Sequence, residues 1–410
     1  MQAGDKTFNA GRILQGVRII SFTTGYAGPF AGRLLAQFGA EVIKVESLHG
    51  GLDSFRHFAK GKNVDAAPRF IECNLGVRSL AVNLKTPAGV QLIKELAAHS
   101  DAVLENFRPR VLERLGLGEK ELREANPGII ILKMPGMGQK GPKSKYGTWG
   151  FNLNSFCGMT YLWNHPGQPR PTGSQGVYPD HVSFIMAPTL MVAALLRRRL
   201  TGEGVSIDLA QVEAAAYMLG VSYLDAAVNR NGPEPSGNID ATASPHGCYP
   251  CEGKDRWCVL SVRTDEEWRN FCHAMGRGDL ADDPRFRARQ GRCENRTEID
   301  KIVADWTRAR TAEEAMQKLQ GARIAAGVVQ NGADLVADPQ LRQRNYFAGI
   351  SDSPVGPFEI PRGPLQFSGM DDEPLSLPGA LGQHTDEILR DILGYSESKI
   401  AEWKAEGVLS

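Results

Sequence analysis

The chain has 410 residues, enough for a sizeable core and, by length, two domains. Lysine plus arginine balances aspartate plus glutamate at 47 each. The basic excess of a broad nucleic-acid footprint is therefore absent, and only a local basic site for a phosphorylated small molecule is left open. Residues 17–22 read as a buried strand. Thr23-Thr24-Gly25-Tyr26-Ala27-Gly28-Pro29 is a turn whose proline is placed to start a helix. Residues 30–38 have helical spacing, Gly39 ends them, and 42–46 form a second strand. A crossover this short implies a parallel pair.

The pattern repeats. Residues 79–84 are strand-like. Thr86 and Pro87 open a helix to Ala98 as N-cap and first helical residue. Residues 102–104 form a strand ending at Glu105-Asn106-Phe107. Residues 111–115 and 119–125 are helical, and 128–132 form another strand. This alternation gives the expected fold class, α/β with a Rossmann-like parallel sheet. The middle, 142–177, is rich in Gly, Pro, Asn and Trp and reads as loops and short helices near a site. Helices are expected at 182–199 and 209–228. The expected division is a large domain over 1–228, a linker at 229–245, a smaller α+β domain over 246–335, and a return segment over 336–410.

The first six residues lack the apolar stretch of a signal peptide. The longest apolar run, 184–196, is too short to span a bilayer. The expectation is a cytoplasmic chain with no membrane or nucleic-acid partner. Seven cysteines suit reduced thiols. Cys248-Tyr249-Pro250-Cys251 is followed by a turn rather than a helix, and no second pair stands at zinc spacing, so no metal is expected.

Gly136-Met137-Gly138-Gln139-Lys140-Gly141 matches GxGxxG after a strand. A dinucleotide site also needs a helix starting inside that motif, and Pro142 and Gly147 oppose one. Asn106-Phe107-Arg108-Pro109-Arg110-Val111-Leu112-Glu113-Arg114 lies where a parallel strand ends and a helix begins. Arginines there suit a phosphate and an aromatic suits a purine, although an ordinary solvated loop reads the same way. Asp180, ahead of the apolar run, has the local pattern of a helix N-cap. Pro188 implies a late start or a kink.

Several stretches together resemble the class III CoA-transferases, the CaiB/BaiF family. They are Gly16-Val17-Arg18-Ile19, Ala27-Gly28-Pro29, Gly39-Ala40-Glu41-Val42-Ile43-Lys44-Val45-Glu46 and Arg78-Ser79-Leu80-Ala81-Val82-Asn83-Leu84-Lys85. Glu105-Asn106-Phe107-Arg108-Pro109 with Leu115-Gly116-Leu117 is the most recognisable. Asp180, Thr201-Gly202-Glu203-Gly204, Asp338-Pro339 and Gly382-Gln383-His384-Thr385 follow in order. The resemblance implies a large domain completed by the return segment, and two subunits threaded as interlocked rings. It makes Asp180 the covalent nucleophile and coenzyme A a substrate and product. It places Gly25, Tyr26, Val82, Asn106, Phe107 and Arg114 near CoA, and it gives the opening turn a part in holding the acyl group.

The implied reaction moves CoA from an acyl-CoA, with succinyl-CoA as donor, to a carboxylic acid, through an aspartyl anhydride and an aspartyl-CoA thioester. The segment from Pro245-His246-Gly247 to Trp257 resembles members that act on benzylsuccinate-like or carnitine-like acids. The family implies a homodimer or a heteromer with a related subunit. Two alternatives stand beside this: a racemase of α-methylacyl-CoA, and a non-catalytic CoA-binding subunit. The racemases place a histidine where this chain has Gly150-Phe151-Asn152, and phenylalanine moves no proton. Ser47 replaces the arginine with which some members bind CoA.

Overall fold

The structure is a computed structural model and describes residues 12–409 except 60, 62, 172, 174, 175, 231 and 369–374. The chain divides into two compact units. The first comprises Met1–Met159, Ser174–Asn231 and Asn345–Ser410; the second comprises Thr160–Gly173 and Gly232–Arg344.

The first unit follows strand-helix alternation. Its elements are β1 (Arg18–Phe22), α1 (Ala27–Gln37), β2 (Glu41–Glu46), α2 (Pro68–Cys73), β3 (Arg78–Ala81), α3 (Pro87–Ala98), β4 (Ala102–Glu105), α4 (Val111–Arg114), α5 (Glu119–Ala125) and β5 (Ile130–Lys133). Next come α6 (Gly150–Phe156), α7 (Met159–Leu162), which passes into the second unit after Met159, and then α8 (Tyr178–Thr201), β6 (Ser206–Asp208), α9 (Gln211–Tyr217) and α10 (Gly220–Asn229). The six strands form one sheet in the order β3-β2-β1-β4-β5-β6, with all neighbours parallel.

Alternate strand residues feed two apolar layers. Ile20, Ile43, Val103 and Ile131 pack with α3 and α5 on one face. Ile19, Val42, Leu104 and Ile130 pack with α1 and α8 on the other. Strands buried on both faces must be apolar almost throughout, which is why they read as continuous runs. Thr86 caps α3, its hydroxyl accepting from Gly89 N–H.

The strand order reverses between β1 and β4. Chain growth runs outward through β2 and β3, then returns to the opposite side of β1. In such sheets the crevice at the carboxyl ends beside the reversal is where ligands bind. The residues leaving β1 and β4 there are Thr23–Gly25 and Asn106–Phe107.

The second unit contains β7 (His246–Pro250), β8 (Trp257–Ser261), α11 (Asp265–Met275), α12 (Gly278–Asp282), α13 (Arg289–Glu294), α14 (Arg296–Arg308), α15 (Ala312–Gly321), β9 (Ala325–Val328), α16 (Gly332–Ala337) and α17 (Pro339–Gln343). Its three strands form an antiparallel sheet, β7-β8-β9. Its core gathers Trp268, Phe271, Phe286 and Leu319. The cysteines of this unit are free thiols, and Cys248 pairs across the sheet with Val259, not with another cysteine.

The chain then adds to the first unit a hairpin, β10 (Phe347–Ile350) with β11 (Phe358–Pro361), and helices α18 (Thr385–Asp391) and α19 (Glu397–Ala405). Ile388, Ile400 and Trp403 join the α3 layer. Gly382-Gln383-His384-Thr385 finishes the outer edge of β3. His384 Nδ1 accepts from Ser79 N–H at 3.1 Å, and Thr385 Oγ1 accepts from Ala81 N–H at 3.1 Å.

Candidate active site

Asp180 is not a helix cap. The helix begins earlier, at Tyr178, with Val177 as N-cap, because Pro179 in the first turn gives up no needed hydrogen bond. Asp180 therefore sits within the first turn, and its carboxylate makes no hydrogen bond among the described residues. Pro188 lies inside α8 without ending it. The run expected to be too short for a membrane is part of this 24-residue helix, long and apolar enough by composition alone to cross one. Here Phe184, Ala187, Met191 and Ala194 bury one face of it in the core.

The Asp180 side chain points at the start of α6. A Cβ placed on Gly150 would overlap Oδ2 of Asp180 and stand 2.5 Å from Val177 Cβ. Only a hydrogen fits there. Burial, with no hydrogen bond to oppose it, raises the Asp180 pKa to about 7. A place in the first turn of a helix favours the ionised form, and desolvation opposes it.

The turn after β1 is held from two sides. Asn106 Oδ1 accepts from Thr24 N–H at 2.9 Å, and Asn106 Nδ2 donates to the Thr24 carbonyl at 2.9 Å. The Asn106 amide is thus committed to the turn. Beneath the turn, Asp53 Oδ1 accepts from Gly25 N–H at 3.1 Å. Gly25 has a φ of 75°, the left-handed region that glycine occupies without strain. Lys44 Nζ lies 2.7 Å from Asp53 Oδ2 and donates to the Thr23 carbonyl at 2.7 Å. Glu46 Oε1 accepts from Asp53 N–H at 3.0 Å and from Arg56 Nε at 2.8 Å. Lys44, Glu46, Asp53 and Arg56 are all almost fully buried. Buried charges need partners, and here each has one. A lysine and a glutamate inside the apolar strand 42–46 were the sequence signal for this cluster.

Tyr26 projects from the same turn. Its ring lies 5.2 Å from His181 and 5.8 Å from Phe184 between centroids, and its hydroxyl is 3.5 Å from His181 Nε2. Tyr26 and Asp180 are close enough to interact electrostatically. His181 and Gly150 were not among the expected site residues. Neither is marked by a local pattern; each acquires its place by folding.

The other expected contacts divide. Val82 follows β3 at the carboxyl edge, but the whole residue is buried in the α3 layer and its N–H donates to the Glu46 carbonyl at 2.9 Å. Phe107 is half-buried against that layer. Arg108, Arg110 and Arg114 are exposed and form no ion pair among the described residues. Glu105, buried at the end of β4, accepts from Phe107 N–H at 2.8 Å. Burial raises its pKa to about 8, against the opposing pull of that hydrogen bond and of Lys133. Ser47 is buried, its hydroxyl accepting from His49 N–H at 3.1 Å. The GxGxxG stretch holds no helix; the next begins at Gly150. Two clefts of about 670 and 700 Å³ flank β3, and neither is lined by any of these residues. Among the described residues, no three His, Cys, Asp or Glu side chains are grouped to hold a metal ion.

Residues 14–385 match the family model described as CoA-transferase family III. The chain belongs to that family. It is a CoA-transferase and uses acyl-CoA as a substrate. It is 32% identical over 402 residues to a succinyl-CoA–D-citramalate CoA-transferase of Chloroflexus aurantiacus, covering 97% of this chain and 98% of that one. It is 31% identical over 400 residues to the beta subunit of a succinyl-CoA–L-malate CoA-transferase of the same organism, covering 97% and 98%. A crystal structure of a CAIB/BAIF family protein from Brucella suis superposes with a TM-score of 0.84 at 26% identity, covering 93% of this chain and all of that one.

Proposed function

We propose that this CoA-transferase moves CoA from succinyl-CoA to a short dicarboxylic acid, with Asp180 as nucleophile. The observation that carries the proposal is the Asp180 carboxylate itself. It is buried, free of hydrogen-bond partners among the described residues, and closely apposed to Gly150. A carboxylate without partners is costly to bury, and a nucleophile of this kind needs unencumbered oxygens.

An Asp180 oxygen attacks the thioester carbonyl, the carbon–sulfur bond breaks, and CoA thiolate leaves a succinyl–aspartyl anhydride. The thiolate attacks the aspartyl carbonyl, expelling succinate and forming aspartyl-CoA. The acceptor carboxylate attacks that thioester and releases the thiolate again. The thiolate then takes the acyl group of the new anhydride and restores the Asp180 carboxylate. No proton is gained or lost, so no general base is required. Splitting one transfer into such steps is the advantage of a covalent nucleophile. The apolar rings of Phe30, Phe184 and Tyr26 help keep water from the anhydrides.

The carboxyl edge between β1 and β4 is the proposed CoA cleft. Gly25 and Tyr26 border it, with Val82 buried behind that edge. Phe107 offers a ring to the adenine, and Arg108, Arg110 and Arg114 offer cations to the phosphates. Asn106 serves by holding the Thr24 turn. The names of the relatives favour succinyl-CoA as donor, and short dicarboxylates over larger acids as acceptors. A dimer, of like or related subunits, agrees with the exposed apolar residues Leu196, Leu200, Tyr217, Val221 and Leu224 on α8 to α10.

The test is a panel of acyl-CoA donors against carboxylic acids, read by chromatography. Succinyl-CoA with malate or citramalate is expected to give the new CoA thioester. Transfer only from other donors, or only to monocarboxylic acids, overturns the substrate assignment.

A further inference from the structure

Two of the transfer steps attack the side-chain carbon of Asp180 itself. When the thiolate attacks the aspartyl anhydride, and again when the acceptor attacks aspartyl-CoA, the carbonyl electron pair moves onto an Asp180 oxygen. Such an oxyanion needs a hydrogen-bond donor held close by, out of water. The resting carboxyl makes no hydrogen bond among the described residues, and burial alone shifts its ionisation. Its donor is therefore a group still unengaged in the resting site.

Ser183 carries such a group. The residue is fully buried, and its hydroxyl has no hydrogen-bond partner among the described residues. A serine inside a helix can turn its hydroxyl back to the carbonyl four residues earlier; this one does not. A buried hydroxyl left unmatched is costly and calls for a reason. Asp180 and Ser183 stand three residues apart on α8, and both are buried. That spacing puts them on one helix face with Cβ atoms about 5–6 Å apart. Side chains on a helix tilt toward its N-terminus, so Ser183 leans toward the turn that holds Asp180. The other polar groups nearby are already engaged. On α6 and α9, which pack against α8, Asn154 Nδ2 donates to the Gly176 carbonyl at 2.6 Å and Gln211 Nε2 to the Met134 carbonyl at 2.8 Å. Asn154 Oδ1 and Gln211 Oε1 only accept. The Tyr26 hydroxyl is turned to His181.

We infer that Ser183 is a second catalytic residue, whose hydroxyl donates to the oxyanion that forms on Asp180 when the aspartyl carbonyl is attacked. In the first of these steps a carbon–sulfur bond forms, the anhydride carbon–oxygen bond breaks and succinate leaves. In the second a carbon–oxygen bond forms to the acceptor, the carbon–sulfur bond breaks and the thiolate leaves. The displaced electron pair returns to the carbonyl each time, and Ser183 keeps its proton throughout. The opening attack on succinyl-CoA puts its oxyanion on the succinyl carbon instead, so that step does not call on Ser183. The inference rests on Asp180 as nucleophile and deepens that reading.

The test is rapid-quench kinetics with succinyl-CoA labelled in the succinyl group and malate as acceptor, on wild type, Ser183→Ala, Ser183→Cys and Asp180→Ala. Alanine removes the donor, and cysteine keeps a weak one. Ser183→Ala is expected to lower kcat about a hundredfold, the scale of one lost oxyanion donor. Protein-bound succinyl label should rise above its wild-type level, because the anhydride still forms and its breakdown is slowed. The melting temperature should not fall, because the hydroxyl removed has no partner in the resting site. Ser183→Cys should fall between wild type and Ser183→Ala in kcat. A wild-type kcat in Ser183→Ala beside an inactive Asp180→Ala overturns the inference alone. So does a loss of kcat in which the bound label drops as well, since that places the defect in the opening attack. Undiminished transfer by Asp180→Ala removes the nucleophile reading, and the inference with it.

Discussion

The Asp180 carboxylate occupies the space that any side chain on Gly150 would need. Gly150 opens α6 and Asp180 lies in the first turn of α8, so two helix starts converge on one carboxylate. The contact fixes where the proposed nucleophile points. Gly150→Ala should therefore displace Asp180 while helping the helix, since alanine is the better helix former. The expected result is a fall in kcat of about a hundredfold, the scale of a misplaced reacting group. The melting temperature should fall as well, because the new Cβ also stands 2.5 Å from Val177 Cβ and overpacking of this kind costs about 1–3 kcal/mol. Steady-state kinetics and calorimetry on the same sample check both parts, and an unimpaired kcat would refute the positioning role.

Asp180 should impose a pH dependence on both rate and stability. Its pKa is raised from 3.8 to about 7 by burial, and attack requires the ionised form. The rate of the chemical step should rise with pH through about 7. Stability moves the other way. The folded pKa lies above the unfolded value, so the native state loses stability as pH climbs from about 4 to about 7. The loss is at most about 4 kcal/mol, because each tenfold change in proton affinity is worth about 1.36 kcal/mol. Asp180→Asn should match wild type near pH 4 and exceed it in stability near pH 8, while losing activity. Urea unfolding at the two pH values measures this directly.

The charges below the opening turn give a third expectation. Asp53→Asn leaves Lys44 without its buried partner and weakens the support of Gly25. Removing one member of a buried pair costs about 3–5 kcal/mol. The double variant Lys44→Met with Asp53→Asn should recover much of that stability, because no charge remains stranded. It should not recover activity, because the turn is still unsupported. Recovery of both would show that the pair stabilises the fold without shaping the site.

Much of the parallel sheet was legible because strands buried on both faces are largely apolar, as residues 17–22, 42–46 and 102–104 are apart from Arg18, Ser21, Lys44 and Glu46. Strand β6 was not foreseen. It is a three-residue edge strand, Ser206–Asp208, with exposed positions, and lacks that pattern. The β10–β11 hairpin was also missed, because four-residue strands give too short a window for periodicity. Asp180 shows the limit of local reading most clearly. An aspartate before an apolar run has the pattern of a cap, and nothing nearby in the chain reveals its burial. The family motifs pointed to it, whereas Gly150 and His181 acquire their places only when α6, α8 and the Tyr26 turn meet. Asn106 was expected at CoA by resemblance; its amide proves to be engaged by Thr24.

The central claim is that Asp180 becomes acylated during turnover. Wild-type protein incubated with succinyl-CoA, then treated with hydroxylamine or borohydride, would be digested and read by peptide mass spectrometry. The account predicts modification of the peptide carrying Asp180, localised to that residue, and none in Asp180→Asn. An unmodified Asp180 under conditions of active transfer, or full activity in Asp180→Ala, would contradict it.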